Sequence, residues 1–369
     1  MKSEPPLGGH YLKYLYALYV LMQIQENVNP AIKSAQNIID FNALSAQRAA
    51  QLVLLFSNII WGITPIFVEV VLGYLTPLQT TTFRFGLAVL VLSSVLLLHK
   101  GREAFSMLSG KTVIFLGWLD AWGYLAATIG QDMTTPGLAT LLASFYIFIV
   151  PFLAWKIEGT RLNWRIVIIG LAGLMGIFLI SFNGDWANFA NSSILGILIL
   201  MFAAFMWGFY TVITGKFLNI SNTDEKQVDL LSFTYASLFH TFLALLILSM
   251  LTGELSLSIP LETIPYLVFL GFFPTIVALG LWNWAIARLG SVSTSFFQLL
   301  QVIVPFILEF ILIQQIYSGW IYTGIFLILI STFGINENTG SSIEEIQDTT
   351  SPSMVSRETG FIDEKYKII

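Results

Sequence analysis

The chain has 369 residues, of which 56% are hydrophobic and only 11% are charged. This composition excludes an ordinary soluble fold with a polar surface and indicates an all-α integral membrane protein, with the lipid bilayer as its surroundings and no nucleic-acid partner. The formal net charge is −5. The absence of cysteine excludes disulfides, thiolate nucleophiles and cysteine-based metal sites.

Residues 1–49 form a predicted cytoplasmic extension. Within it, residues 11–24 are apolar and rich in Tyr but too short to cross a bilayer, and Lys13 interrupts them. Such a segment is typical of a helix that lies at the membrane interface. Translation from an upstream start codon is the alternative interpretation of this extension.

Ten apolar segments of about 20 residues, the length that crosses the hydrocarbon core, follow the extension. The predicted spans are 50–72, 77–98, 112–131, 136–156, 164–182, 193–215, 231–251, 263–286, 291–313 and 318–335. The tail, 336–369, is rich in Ser, Thr and acidic residues, which predicts disorder. Its last residues, Lys365-Tyr-Lys367-Ile-Ile, are similar to the dilysine retrieval signal of the endoplasmic reticulum, although so short a match also arises by chance.

The Lys and Arg residues alternate between loops, as expected when cytoplasmic loops retain the positive charge. Loops after spans 2, 4, 6 and 8 hold Lys100, Arg102, Lys111, Lys156, Arg161, Arg165, Lys216, Lys226 and Arg288, whereas loops after the odd-numbered spans hold none. Apart from Arg84, the remaining cations lie in the two terminal segments. We therefore predict cytoplasmic N- and C-termini and a multi-pass protein of the cell (plasma) membrane.

Three short patterns occur twice, in the same order. They are Phe56 with Trp61-Gly62 and Phe202 with Trp207-Gly208; Ile149-Val150-Pro151-Phe152 and Ile303-Val304-Pro305-Phe306; and Trp164 and Trp320, each opening the last span of a half. Because each half has an odd number of spans, the halves 50–182 and 193–335 are predicted to cross the membrane in opposite senses. Ten transmembrane helices in two inverted five-helix repeats are typical of secondary transporters.

Over residues 51–335 the chain resembles the EamA type of the drug/metabolite transporter superfamily. The matching features are Trp61-Gly62, Pro77 with Arg84-Phe85, Glu158 with Arg161-Leu162, the series Gly170, Gly173 and Gly176, and Trp207-Gly208. The resemblance implies five plus five helices with cytoplasmic termini. Two departures are the absence of an Arg in span 7 to mirror Arg84, and Gln314-Gln315 where the second repeat often has Gly-Glu.

Arg84 is the only cation inside a predicted span. A charge at this depth requires a partner or water. One interpretation is an anion clamp, in which the guanidinium holds a substrate carboxylate or phosphate. The alternative, favoured by the occurrence of this Arg across the family's many substrates, is a fixed ion pair with Glu69 or Asp120 that locks span 2 to its neighbour.

Asp120 lies near the predicted bilayer midplane in span 3. A carboxyl at that depth could carry a coupling proton, or could be permanently protonated and hydrogen-bonded. Rings and amides inside or beside the spans suggest a cavity for a small organic solute. These candidates are Trp61, Trp122, Tyr146, Trp207, Tyr210, Trp282, Asn283, Gln298 and Gln301.

The function predicted from these features is secondary transport of a small organic solute or metabolite by alternating access. We expect no enzymatic activity, no metal and no cofactor, because His10, His99 and His240 are widely separated and the sequence lacks a P-loop, His-Glu-x-x-His and Gly-x-Ser-x-Gly. An intramembrane enzyme and a non-transporting receptor or scaffold are the alternatives, and a receptor would have a packed interior without a cavity.

Overall fold

The structure is a computed structural model that describes residues 36–134, 136–183, 193–223, 228–255, 258–314 and 316–349. The regular secondary structure in these ranges is helical. The chain divides into two units, Met1–Ala49 and Ala50–Ile369, and the candidate site lies in the second. The predicted interfacial segment 11–24 and the residues 350–369 lie outside the described residues.

The α-helices are numbered here along the described chain. They are α1 (Gln36–Leu72), α2 (Pro77–Lys100), α3 (Lys111–Asp132), α4 (Pro136–Ala143), α5 (Tyr146–Ile157), α6 (Trp164–Phe182), α7 (Ile194–Thr223), α8 (Leu230–Thr252), α9 (Ile264–Leu270), α10 (Leu279–Phe297), α11 (Leu300–Ile313) and α12 (Gly319–Thr349). A π-helical segment, Gly271–Ala278, joins α9 to α10. Short 3-10 segments, Gly101–Ser109 and Leu261–Thr263, precede α3 and α9.

Among the described residues, 7 helical segments are long and apolar enough to cross a membrane. They are Ala46–Leu72, Pro77–Ser109, Lys111–Asp132, Trp164–Phe182, Ile194–Asn219, Leu230–Thr252 and Leu261–Phe297. Leu141–Ile157 and Gly319–Gly334 are shorter apolar helices. The protein is therefore a multi-pass membrane protein, as its composition predicts.

Several helices differ from the predicted spans. Span 4 is divided into α4 and α5, because the backbone forms tight turns at Ser144 and Phe145, where amides bond to the carbonyl three residues earlier. Predicted spans 8 and 9 meet inside α10, which bends at Gly290, a residue with φ 76° that only glycine adopts readily. The last helix, α12, runs to Thr349, beyond the predicted end at residue 335.

Two pairs of helices pack along their length and join the two halves of the sequence. Helix α2 lies beside α8, and the pair is linked by Thr82 and Ser249, whose hydroxyls are 2.8 Å apart, and by an ion pair of 2.7 Å between Lys100 and Asp229. Helix α6 lies against α12, where a Cβ on Gly176 would come within 2.6 Å of the Gly324 carbonyl. The two glycines thus let the helices approach closely, as small residues do in membrane helix pairs.

Candidate functional site

A cavity of about 400 Å³ lies between the helices of the second unit. The exposed residues of its lining, Pro65, Ile66 and Glu69, lie near the end of α1, and we call this part its mouth. Its wall is largely aromatic and apolar, with a few charged and amide groups. The lining includes Trp61, Glu69, Arg84, Asp120, Tyr124, Gln131, Tyr146, Trp207, Tyr210, Trp282, Gln298, Gln301 and Phe306.

Pro274 explains the local backbone on one side of the cavity. Proline has no N–H, so it interrupts the helix ladder and leaves the carbonyl of Leu270 without its normal partner. The chain responds with a π-helical turn, in which the Thr275 hydroxyl donates to the Leu270 carbonyl at 2.7 Å. The carbonyl of Pro274 accepts from the indole N–H of Trp61 at 3.0 Å. The irregular turn thus presents a hydroxyl and a carbonyl to side chains of the cavity.

Arg84 is held by this turn and by an aromatic ring. Its Nε donates to the Thr275 hydroxyl oxygen at 2.7 Å, and its guanidinium carbon lies 4.7 Å from the centre of the Tyr124 ring. This arrangement combines a hydrogen bond with a cation–π contact. Nη2 of Arg84 is buried and has no hydrogen-bond partner among the described residues. The guanidinium therefore retains donor capacity at the cavity wall.

The predicted ion pair of Arg84 is not formed at contact distance. Within the described ranges, neither Glu69 nor Asp120 lies within 4.0 Å of the guanidinium, and Lys100–Asp229 is the ion pair that is found. Asp120 is nevertheless near enough to interact electrostatically with Arg84. The reason for the difference is the π-helical turn, which supplies Thr275 as a neutral partner that the sequence pattern did not reveal.

Asp120 is buried, with 1% of its surface exposed, and lines the cavity from α3. The Thr241 hydroxyl lies 3.5 Å from Oδ2 and has nearer acceptors in the carbonyls of Ser237 and Gly117. Direct hydrogen bonding to Asp120 is therefore weak.

Aromatic rings from both halves of the sequence meet across the cavity. Trp61 packs edge-on against Trp282, with ring centres 5.2 Å apart, and Tyr124 packs in the same way against Trp207, at 5.4 Å. Edge-to-face pairs of this kind stabilise the ring orientations. The two pairs give the cavity rigid walls that suit a partly apolar organic molecule.

Three polar side chains form the cavity floor, which we define as Tyr146, Tyr210 and Gln298. The Tyr146 hydroxyl lies within hydrogen-bonding reach of the Gln298 side-chain oxygen and of the Ser295 carbonyl, the latter at 3.1 Å. The Tyr210 hydroxyl donates to the Asn283 side-chain oxygen at 3.2 Å, and the Asn283 amide donates to Thr234 at 3.1 Å. These bonds tie α5 and α7 to α10 and to the turn that follows it.

Most of the residues predicted from sequence come together in this cavity. Trp61, Glu69, Arg84, Asp120, Tyr146, Trp207, Tyr210, Trp282, Gln298 and Gln301 line it. Trp122 does not, because its side chain points away and is 42% exposed. Asn283 is buried behind the floor rather than in the wall. Sequence reasoning missed Tyr124, although it follows Asp120 by one helical turn and so shares its face. It also missed Thr275, which directly follows Pro274.

Beyond the floor, the side chain of Glu158 connects three elements. Glu158 directly follows α5, and its Oε2 accepts a hydrogen bond from Ser291 of α10 at 2.8 Å. Its Oε1 is buried without a hydrogen-bond partner in the described chain and packs so closely on α7 that a Cβ on Gly215 would lie 2.5 Å away. Burial raises the pKa of the Glu158 carboxyl to about 7, against the opposing effects of the Ser291 hydrogen bond and the charge of Lys216.

The known proteins that this chain resembles are named as transporters or efflux pumps. A model of the EamA-like transporter family matches residues 48–182 and again residues 194–337. A Bacillus subtilis (strain 168) protein, "Uncharacterized transporter YyaM", is 25% identical over 264 residues, which cover 70% of this chain and 84% of that protein. An Escherichia coli (strain K12) protein, "Probable amino-acid metabolite efflux pump", is 23% identical over 290 residues, covering 75% of this chain and 92% of that one.

Solved structures also share the fold. One crystal structure at 19% sequence identity superposes with a TM-score of 0.59 and covers 77% of this chain and 95% of that chain.

Proposed function

Because the chain belongs to the EamA-like transporter family, we propose that it is a secondary transporter, which moves a small organic solute across the membrane by alternating access. The observation that carries this proposal is the cavity, whose lining is exposed beside Glu69 and buried and hydrogen-bonded at Tyr146 and Tyr210. We take it to open beside Glu69 and to be closed at the floor. A site that opens to one side only is what alternating access requires. A receptor or scaffold has no need of it.

The proposed topology has ten spans in two inverted repeats, with both termini in the cytoplasm and the protein in the plasma membrane. The first observation that supports it is that the family model matches once in each half of the chain. The second is how the helices divide into spans: α4 and α5 together form one broken span, and Gly290 separates two spans within α9 to α11. With this topology, Glu69 and the mouth of the cavity would lie on the outer side.

The solute would bind between the aromatic pairs, with its polar group near Arg84. The free donor capacity of Nη2 suits a carboxylate or another anionic group of the solute. The cavity volume of about 400 Å³ lies in the range of pockets for small organic molecules. Since one relative is named as an amino-acid metabolite efflux pump, amino acids and their derivatives are the first solutes to test.

Asp120 is the proposed site of a coupling proton. It is buried, lines the cavity and interacts electrostatically with Arg84, so the charge of the solute and the protonation of Asp120 would influence each other through the guanidinium. A solute anion bound at Nη2 would compete with Asp120 for the positive charge. Binding of the solute and of the proton would therefore be linked.

Transport in proteoliposomes tests the proposal. Purified protein would be reconstituted and exposed to labelled amino acids and their derivatives, with and without a pH gradient. We expect uptake above that of protein-free liposomes for at least one solute, and acceleration by the gradient. In the Asp120→Asn variant the gradient should no longer accelerate uptake, whereas Asp132→Asn, at the exposed end of the same helix, should behave like the unmodified protein.

Two results would contradict these assignments. If neither amino acids nor a broader set of organic solutes is taken up by protein that is correctly folded, the transport function is wrong. If uptake responds to the pH gradient equally with and without the Asp120 carboxyl, transport stands but Asp120 does not carry the proton.

A further inference from the structure

Two breaks in the helices have the same backbone geometry. At the first, amides of Phe145, Ile147 and Phe148 donate to the carbonyls of Leu142, Ser144 and Phe145. At the second, amides of Leu299, Gln301 and Val302 donate to the carbonyls of Phe296, Gln298 and Leu299. In each case the donors and acceptors occupy the same positions relative to the proline that follows, Pro151 or Pro305. The two halves thus contain equivalent tight turns, which we call the first and second hinge turns (Ser144–Phe145 and Gln298–Leu299).

The hinge turns are weak points in otherwise regular helices. Each turn replaces normal helical hydrogen bonds by bonds over three residues, whose geometry is poorer. The proline one to two turns later removes another backbone donor from the same helix. The helices therefore bend more easily at these two places than elsewhere along α4 to α5 and α10 to α11.

A single side chain connects the two hinge turns. Tyr146 is the first residue of α5, directly after the first hinge turn, and its hydroxyl contacts the side-chain oxygen of Gln298 in the second. The same hydroxyl lies 3.1 Å from the carbonyl of Ser295, three residues before Gln298. Tyr146 is 2% exposed, so this contact is shielded from bulk water, where hydrogen bonds are weaker.

The connection has no counterpart if the two halves exchange their conformations. By position relative to Pro151 and Pro305, Ser144 corresponds to Gln298 and Tyr146 corresponds to Leu300. The equivalent pair would thus be Leu300 and Ser144, and a leucine side chain cannot form the bond. The Ser144 hydroxyl is buried and lacks a hydrogen-bond partner among the described residues. The hydrogen bond can therefore stabilise only one of two exchanged arrangements.

We infer that the hydrogen bond between Tyr146 and Gln298 is a positioning link, which holds the two hinge turns in the arrangement with the mouth beside Glu69 open and the floor closed. The inference rests on the proposed function, because only a transporter that exchanges two arrangements needs such a link. Both side chains line the cavity, so the link lies where a bound solute would meet it. Opening the floor requires the link to break.

Distance measurements between two spin labels test the link without any solute. The chain contains no cysteine, so labels can be attached to cysteines introduced at Thr160 and Leu289, beyond the floor, with no background labelling. Thr160 follows α5, and Leu289 lies in α10. The variants Tyr146→Phe and Gln298→Leu each remove one partner of the bond. Thr82→Val is the control, because it removes a buried hydrogen bond between the two halves, to Ser249 at 2.8 Å, that involves neither the cavity lining nor a hinge turn.

We expect one main distance in the unmodified protein and a second, longer distance in both Tyr146→Phe and Gln298→Leu. The ratio of the two populations should change about fivefold, the effect of one net hydrogen bond. Combining both substitutions should add nothing further, since either one already removes the bond. The control Thr82→Val should keep the unmodified distribution.

The inference would be overturned if the unmodified distribution persists in Tyr146→Phe and Gln298→Leu, or if Thr82→Val shifts it as strongly. Should Tyr146→Phe fail to fold, Gln298→Leu still decides the question. Failure of the transport function is seen separately, as a lack of solute uptake in proteoliposomes by the unmodified protein.

Discussion

Arg84 donates from Nε to the hydroxyl of Thr275 at 2.7 Å, and this bond joins α2 to the π-helical turn at Pro274. The bond leaves Nη2 of the guanidinium without a partner among the described residues. Arg84 is thus both a structural contact between two helices and a donor at the cavity wall. The two roles can be separated by substitutions that affect one more than the other.

Thr275→Val should remove the acceptor of Arg84 while preserving side-chain shape. Leaving a buried donor unpaired costs about 1–3 kcal/mol, so the midpoint of thermal unfolding should fall.

Arg84→Lys retains the charge but loses the planar fork that binds an anion with two hydrogen bonds. We expect it to weaken uptake by about tenfold or more, corresponding to about 1.4 kcal/mol. Uptake at the unmodified rate by Arg84→Lys would restrict Arg84 to its structural contact.

Trp61→Phe should reduce the apparent affinity for the solute. The substitution deletes the indole N–H that binds the Pro274 carbonyl at 3.0 Å and shortens the ring that packs against Trp282. An effect of about 1 kcal/mol, or about fivefold in the apparent constant for uptake, is expected from the lost hydrogen bond. Trp122→Phe is the control, because Trp122 is half-exposed and lies outside the cavity. Equal effects of the two substitutions would contradict the assignment of the cavity.

Glu158→Gln should change how stability depends on pH. Burial raises the pKa of Glu158 to about 7 from the ordinary value of 4.5, so the folded protein holds this proton more tightly than the unfolded chain does. The resulting stability is fully present below about pH 4.5, decreases as pH rises and is lost above about pH 7. Glutamine does not titrate. The difference in unfolding midpoint between the unmodified protein and Glu158→Gln should thus change between these two pH values and stay constant above pH 7.

The comparison between the two variants isolates Glu158, since every other carboxyl is common to both. A difference that is independent of pH from 4 to 8 would show that the pKa of Glu158 is not raised in the folded protein.

Gly176→Ala should destabilise the packing of α6 on α12. The added Cβ would lie 2.6 Å from the backbone carbonyl of Gly324, and a backbone atom cannot move aside as a flexible side chain can. Overpacking of this kind costs about 1–3 kcal/mol. Gly280→Ala is the control, because a Cβ on Gly280 meets nothing within 4 Å. Thermal unfolding in detergent should give a lower midpoint for Gly176→Ala and an unchanged or higher one for Gly280→Ala, as alanine favours helix. A midpoint equal to that of the unmodified protein for Gly176→Ala would mean that the two helices separate easily.

Much of the candidate site was predictable from residue type and depth in the spans. A buried cation such as Arg84 and an acid such as Asp120 inside apolar segments are costly, which marks them as functional or structural centres. The positions of the tryptophans relative to the cavity were only partly predictable. Hydropathy locates Trp61 and Trp122 inside spans but does not indicate which face of the helix is buried. Trp61 lies in the cavity wall, whereas Trp122 lies on the exposed face.

The sequence alone determined that this is a helical membrane protein, where most of its apolar segments lie and which family it resembles. These properties follow from local composition, because a run of about 20 apolar residues is enough to cross the membrane and the Lys and Arg residues of the loops set its orientation. Only the tertiary structure decided that Arg84 binds Thr275 rather than a carboxylate, that Tyr146 reaches Gln298, and that the fourth predicted span is broken. These features depend on how backbone irregularities at Pro274 and Ser144 bring distant residues together, and no local pattern contains that information.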